Sequence, residues 1–323
     1  MLAIAAAAHE IGDLVAQGPL AGALGSVVGG NSDGDAQKQL DIRANELLIA
    51  ALKGAGVALI ASEELQTPIE CDPTASLIVA LDPLDGSSNI DANVSIGTIF
   101  SVLPVPEPRA TNGSPNSAFL QCGSQQKAAG YVIYGPQCAI ALTVGKGTHV
   151  FTLDRRCGVF RMTQPGVRIP ETTREFAINA SNQRHWSAGV QAYIADCLAG
   201  KNGPRAHDCN MRWIASLVAE CHRILSRGGI FLYPRDARTG YEQGRLRLVY
   251  EANPIAWLVE QAGGNATDGM QRILDLRPTK LHERTPLVFG SAEEVERVAR
   301  YKTERRVSGE RSQLFSERGL FRI

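Results

Sequence analysis

The chain has 323 residues with Lys+Arg and Asp+Glu balanced at 33 each, so it carries no basic field of the kind that nucleic-acid binding needs. Its composition, 44% hydrophobic and 20% charged, is that of a globular protein long enough for about two domains, and no apolar run approaches the ~20 residues of a membrane span. Seven cysteines without a Cys-x-x-Cys spacing read as reduced thiols of a cytoplasmic protein, and the apolar start meets His9, Glu10 and Asp13 too early for a signal peptide.

Residues 2–17 read as a poorly amphipathic helix, interrupted by Gly18-Pro19, and a loop rich in Gly, Asn and Asp covers 25–34. From Asp35 to about Lys53, Leu40, Ala44, Leu47, Leu48 and Ala51 keep helical spacing. Asp35 and Asp41 lie toward the start of that helix, where carboxylates suit the helix dipole and capping is the plain role. Two short apolar runs follow, 57–61 and 77–81, and both end in acids: Glu63-Glu64 and Asp82. If these strands are parallel neighbours, the carboxylates share one sheet edge, and open α/β sheets bind ligands outside the carboxyl ends of their strands.

Residues 94–103 predict another strand and 104–126 a long surface loop. The segments 129–133, 139–144, 148–153 and 159–162 predict strands of a meander or second sheet section. Past a junction at 164–174 come a strand at 176–178 and a helix at 188–199. Another helix is predicted from about Met211, with Ile214, Leu217, Val218, Cys221 and Leu225 on one face. A strand at 230–234 precedes alternating basic and apolar residues over 245–251, then a helix from Asn253 to Ala262 and a last one over 293–301. The expected organisation is α/β, with domains over 1–170 and 171–301. A basic, polar tail over 302–323 is expected to dock through its Leu-Phe pairs.

The chemistry concentrates at Leu81-Asp82-Pro83-Leu84-Asp85-Gly86-Ser87-Ser88-Asn89. Two carboxylates three residues apart, followed by a small segment that exposes backbone amides, are what a site needs to hold a divalent cation beside a phosphate. Two carboxylates ~4 Å apart repel by about 4 kcal/mol at an effective dielectric near 20. Such a pair makes sense with bound cations or with raised pKa values. The plainer alternative is an Asx-type turn around Pro83. On its residues alone, the stretch points to a cation held beside a phosphate, as in a metal-dependent phosphatase, and leaves the choice of sugar to the rest of the chain. The six histidines show no ligand spacing, which argues against zinc.

This motif comes with Ala61-Ser62-Glu63-Glu64, residues 95–100 and Ala128-Ala129-Gly130-Tyr131. The later half adds residues 228–234, 246–254 and Glu260-Gln261-Ala262-Gly263-Gly264. Together they resemble class I fructose-1,6-bisphosphatase, one of the lithium-sensitive, magnesium-dependent phosphatases, over about residues 35–300. The resemblance implies a sugar-phosphatase fold of alternating helix and sheet layers (αβαβα). It implies hydrolysis of the 1-phosphate of fructose 1,6-bisphosphate in gluconeogenesis or the Calvin cycle. It also implies two or more Mg²⁺ ions per subunit, held by Glu63, Asp82, Asp85, Glu251 and the carbonyl of Leu84, together with Glu64 and Asp35.

By the same resemblance, Asp41 and Glu64 activate the attacking water, and a glycine-rich loop at 29–34 closes to bring Asp35 to Arg247. Asp85, Gly86, Ser87 and Ser88 are implied to receive the 1-phosphate. Asn179, Asn182, Arg212, Tyr233 and Arg245 are implied to hold the sugar and its 6-phosphate. Arg212 would reach in from a neighbouring subunit of a homo-oligomer, a tetramer by family expectation. Read without the resemblance, Arg212 is an ordinary surface residue at a helix start, Asn179 a turn residue and Tyr233 a core residue with a polar tip.

Three departures bear on substrate and control. Arg245 stands where many relatives have lysine, a planar donor in place of a point charge. Asn182 and Trp213 stand where many have tyrosines. The opening segment lacks a full AMP-binding helix, so AMP inhibition is expected to be weak or absent. The competing readings are a sedoheptulose-1,7-bisphosphatase or dual-specificity enzyme, an inositol monophosphatase-like enzyme, and a silent regulatory homologue.

Overall fold

The computed structural model describes residues 1–30, 36–106 and 114–303. Its α-helices are α1 (Leu2–Gln17), α2 (Gln39–Lys53), α3 (Ala188–Ala199), α4 (Leu217–Arg227), α5 (Asn253–Gln261) and α6 (Ala292–Thr303). Strands β1 (Val27–Gly30) and β2 (Ala36–Lys38) form an antiparallel hairpin. The next eight strands are β3 (Leu59–Ser62), β4 (Ile69–Glu70), β5 (Leu77–Asp85), β6 (Ile96–Pro104), β7 (Ala128–Tyr134), β8 (Cys138–Thr143), β9 (Thr148–Asp154) and β10 (Val159–Val167). They make one sheet in the order β10-β9-β8-β7-β6-β5-β3-β4. The meander of β7 to β10 therefore continues the sheet that carries the acidic strand ends and does not start a second one.

The second half adds β11 (Glu175–Ile178), β12 (Asn210–Met211), β13 (Ile230–Tyr233), β14 (Leu246–Arg247), β15 (Asn265–Thr267), β16 (Arg284–Thr285) and β17 (Leu287–Gly290). Five of these form a second sheet, β12-β11-β13-β17-β15, while β14 pairs antiparallel with β16.

Strand alternation explains how the layers stack. On the large sheet, Ile60, Leu81, Phe100 and Val132 pack against Ile4, Ala8 and Ile11 of α1 and Leu40, Ala44 and Leu48 of α2. Their neighbours Ile99, Tyr131 and Ile133 point to the other face. There they meet Leu217, Cys221 and Ile224 of α4 and Ile255, Ala256 and Val259 of α5, with Phe231 and Phe289 of the small sheet beyond. The far side of the small sheet, with Phe176, Ile178, Ile230 and Leu232, is covered by Val190, Tyr193 and Ile194 of α3 and Val295 and Val298 of α6. At about 1.5–3 kcal/mol for each fully buried aliphatic or aromatic side chain, these three contacts drive the stacking. The order is helices, sheet, helices, sheet, helices, the αβαβα layering expected.

Several boundaries differ from expectation for local reasons. The helix anticipated from Asp35 begins at Gln39, because Ala36–Lys38 pair with β1 instead. The helix anticipated from Met211 begins at Leu217. Asn210 and Met211 pair in parallel with Glu175 and Phe176, Ala215 takes φ 61°, and the Ser216 hydroxyl caps α4 by accepting from Ala219 N–H at 3.3 Å. The alternation over 245–251 yields only a two-residue strand before the chain winds into a π-turn, Leu248–Ala252. Within the loop expected at 104–126, Phe119 is fully buried. Among the described residues, no helix is long and apolar enough to cross a membrane.

Candidate metal and phosphate site

Strands β3 and β5 are parallel neighbours, with Ser62 opposite Leu81, so the two acidic ends emerge side by side. Asp82 and Asp85 are an odd number of residues apart, and a regular strand would send their side chains to opposite faces. A β-bulge corrects the parity. Asp82 lies opposite Ile99 but Asp85 lies opposite Gly97, so β5 takes three steps where β6 takes two. Pro83, which has no N–H for a ladder, sits inside the bulge, and its carbonyl accepts from the Thr98 hydroxyl at 2.9 Å. Leu84 N–H donates to Asp82 Oδ1 at 3.0 Å, so the Asx-type turn exists and serves to hold the carboxylate.

The two halves of the chain meet on Asp85. Its Oδ2 accepts from Val218 N–H at 2.9 Å and from the Ser216 hydroxyl at 3.1 Å, at the N-terminus of α4. Gly97 makes that approach possible, since a Cβ there would lie 2.6 Å from Val218 Cγ2 and 2.2 Å from the Val132 carbonyl. Glu251 comes from the π-turn, a geometry frequent at functional sites. Its Oε2 accepts from Arg247 N–H at 2.6 Å. The result is a buried trio, Asp82, Asp85 and Glu251, that brings one carboxylate oxygen of each within 4.8 Å of the others.

Glu63 stands at the edge of this trio, with Oε1 2.7 Å from the Arg247 guanidinium. Arg247, expected as a partner for Asp35, therefore meets Glu63 and Glu251; Asp35 lies outside the described residues. Burial pushes Asp82 and Glu63 well above the ordinary carboxylate range, and the neighbouring acids push further in the same direction. Asp85 is raised by burial to about 6, with the α4 hydrogen bonds opposing. Burial raises Glu251 to about 7 against the pull of Arg247. A set of hard oxygen donors that burial and mutual repulsion keep from ionising fits a hard divalent cation.

Beside the trio, Gly86 adopts φ 78° and leads into a 3-10 turn, Ser87–Asn89, with Ser88 exposed. Asn89 Nδ2 donates to the Ala215 carbonyl at 3.0 Å and ties this turn to the start of α4. On the opposite flank, Glu64 N–H donates to the Ser62 hydroxyl at 3.3 Å, and that hydroxyl donates to Asn45 at 2.7 Å. Asp41, in the first turn of α2, accepts from Lys38 N–H at 2.6 Å through Oδ2. Its Oδ1 is buried with no partner among the described atoms. Burial, reinforced by nearby Glu64, raises its pKa to about 7. Capping accounts for only one of its two oxygens.

The predicted sugar-binding residues converge in part. Tyr233, at the end of β13, meets Trp213 edge-on at 6.0 Å, and the Arg245 guanidinium lies 5.8 Å over the Tyr233 ring and 4.4 Å over Tyr241. Asn182 is buried in a 3-10 turn. Asn179 spends Oδ1 on the Ser181 N–H and hydroxyl, which is the turn role. Arg212 follows β12 rather than opening a helix, is half exposed, and faces Glu175 at 3.5 Å. The serine hydroxyls of Ser62 and Ser216 and the amide of Asn45 escaped sequence reasoning. Ser216 ahead of an apolar helical run was the one readable signal.

Two family models match the chain: "Fructose-1-6-bisphosphatase, N-terminal domain" over residues 1–165 and "Fructose-1-6-bisphosphatase, C-terminal domain" over residues 169–303. The chain is 57% identical over 320 residues to the class 1 fructose-1,6-bisphosphatase of Rhizobium meliloti (strain 1021), covering 99% of this chain and 91% of that protein. It is 53% identical over 322 residues to that of Bradyrhizobium diazoefficiens, covering 99% and 92%. Among solved structures, Leishmania major fructose-1,6-bisphosphatase in holo form superposes with a TM-score of 0.89 at 36% identity, covering 94% of this chain and 93% of that one.

Proposed function

The chain belongs to the class I fructose-1,6-bisphosphatase family, and from that premise we propose that it hydrolyses the 1-phosphate of fructose 1,6-bisphosphate to fructose 6-phosphate and phosphate. The observation that carries the mechanism is the convergence of Asp82, Asp85 and Glu251 on one buried point beside Gly86-Ser87-Ser88. In our reading, Asp82, Asp85, Glu251, Glu63 and the Leu84 carbonyl hold two or more Mg²⁺ ions. When bound, the cations supply charge neutralisation on the phosphoryl oxygens and a lowered pKa for the attacking water. Asp41, with its unpartnered buried oxygen, and Glu64 accept the proton of that water. The amides and hydroxyls of residues 86–88 receive the 1-phosphate. Tyr233, Arg245, Asn182 and Asn179 hold the far end of the sugar.

Arg212, half exposed on its own subunit, is assigned to the 6-phosphate of a neighbour's site, and the working assembly is a homo-oligomer. The free state of all seven cysteines supports a cytoplasmic setting. Phosphate release from fructose 1,6-bisphosphate, measured after thorough chelation and again with Mg²⁺ restored, tests the reading. Activity is expected only with the metal, and a rate that survives its removal rejects the mechanism. Parallel kinetics on sedoheptulose 1,7-bisphosphate decide whether Arg245, Asn182 and Trp213 have shifted sugar preference.

A further inference from the structure

Next to the cation trio, one contact ties the β1–β2 hairpin to the site. Gln37, half-buried in β2, donates from Nε2 to Glu64 Oε2 at 2.6 Å. The following residue, Lys38, donates its backbone N–H to Asp41 Oδ2 at 2.6 Å and sets its ammonium 2.7 Å from Asp91. Two consecutive residues of one short strand thus grip both carboxylates assigned above to the attacking water. The side chains of Gln37 and Lys38 leave the strand on opposite sides, as alternation requires, so β2 is pinned from both. Across the hairpin, Gln37 is paired with Gly29.

We propose that Gln37 is a positioning residue for the hydrolytic step: its amide fixes the rotation of the Glu64 carboxylate and acts on the reaction through Glu64. The chemistry suits an amide. The terminal torsion of a glutamate is broad and nearly two-fold, so a carboxylate bonded only along its stem turns freely. The Gln37 donor on Oε2 selects one orientation of that carboxylate. A lysine in this place would instead neutralise Glu64 and compete with the cations, whereas the neutral amide preserves its charge.

The proposal rests on Glu64 being a water-activating group, and the test separates the two. Gln37→Ala, Gln37→Met, Glu64→Gln and the double variant Gln37→Ala/Glu64→Gln are compared for kcat, KM and thermal midpoint. Gln37→Met keeps the volume without the donor and guards against a folding defect in the alanine variant. The expected loss is about 10-fold in kcat for both Gln37 variants and roughly 100-fold or more for Glu64→Gln, with KM within about two-fold. In the double variant the Gln37 change is expected to cost nothing beyond Glu64→Gln. Wild-type kcat in both Gln37 variants overturns the proposal. So do independent, multiplying losses in the double variant, which indicate a merely structural role. Full activity in Glu64→Gln overturns the reading of Glu64 itself.

Discussion

Glu251, Asp85 and Asp41 carry folded-state pKa values of about 7, 6 and 7 against ordinary values of 4.5, 3.8 and 3.8. An acid whose pKa is raised on folding binds protons more tightly in the native state. Its contribution is therefore fully present below about pH 4 and is lost as pH climbs to about 7. The metal-free protein is expected to lose stability over that window, in calorimetric scans at stepped pH. For Glu251 alone the loss is of the order of 3 kcal/mol at one pKa unit per 1.36 kcal/mol. Glu251→Gln should flatten the decline and, if Mg²⁺ binds at this trio as proposed, remove the Tm rise expected from added Mg²⁺ at neutral pH. A metal-free wild type that grows more stable from pH 4 to 7 in step with the variant counts against the cluster.

At the scale of elements, two features that build the site obey no simple pattern. The apolar runs announced β3 and β5, and their acidic ends announced the sheet edge. The bulge at Asp82–Asp85 was invisible, because it depends on the register with β6 and not on β5 alone. Likewise the alternation of 245–251 imitates a strand, and only packing of the segment against β16 and α5 converts it into the π-turn that presents Glu251. Helices α1 and α3 were legible to the residue, since local spacing and a flanking glycine bound them. Helix α4 was misplaced by six residues, because a parallel pairing with distant Glu175 and Phe176 overrode the local periodicity.

Gly97→Ala puts a methyl where α4 meets the sheet. It is expected to cost about 1–3 kcal/mol in urea unfolding and to weaken Mg²⁺ binding through Asp85. Elsewhere, the buried Arg205 guanidinium forks onto Glu294 with two 2.8 Å bonds while the Tyr193 hydroxyl takes the same carboxylate, stapling α3 to α6. Glu294→Ala strands that charge and should lower stability by about 3–5 kcal/mol, with kcat of the folded fraction unchanged.

For the whole molecule, the placement of Arg212 makes a prediction about assembly. If it serves a neighbour's site, mixing Arg212→Ala with Glu64→Gln subunits regenerates sites that have both groups intact. Hybrid oligomers formed by dissociation and reassociation are expected to recover activity that neither variant shows alone. Recovery that never exceeds the sum of the parents would place Arg212 in its own subunit's chemistry or outside catalysis. The family resemblance carries this expectation for Arg212; its own residues do not, because a half-exposed arginine beside Glu175 looks like any surface ion pair.

The join at Asp85 has a kinetic consequence. Its bonds to Ser216 and Val218 span 131 and 133 residues, and Glu251 lies farther along still. Contacts this distant in sequence close late, after loop-closure entropy has been overcome by the packing of each half. On the proposed assignment, a cation held by Asp82, Asp85 and Glu251 would have no binding place until folding is nearly complete. Its free energy should fall on the unfolding limb of the chevron and spare the refolding limb. Stopped-flow experiments with and without Mg²⁺ should show unfolding slowed and refolding unmoved, so that the metal acts as a latch on a finished fold and not as a template for it.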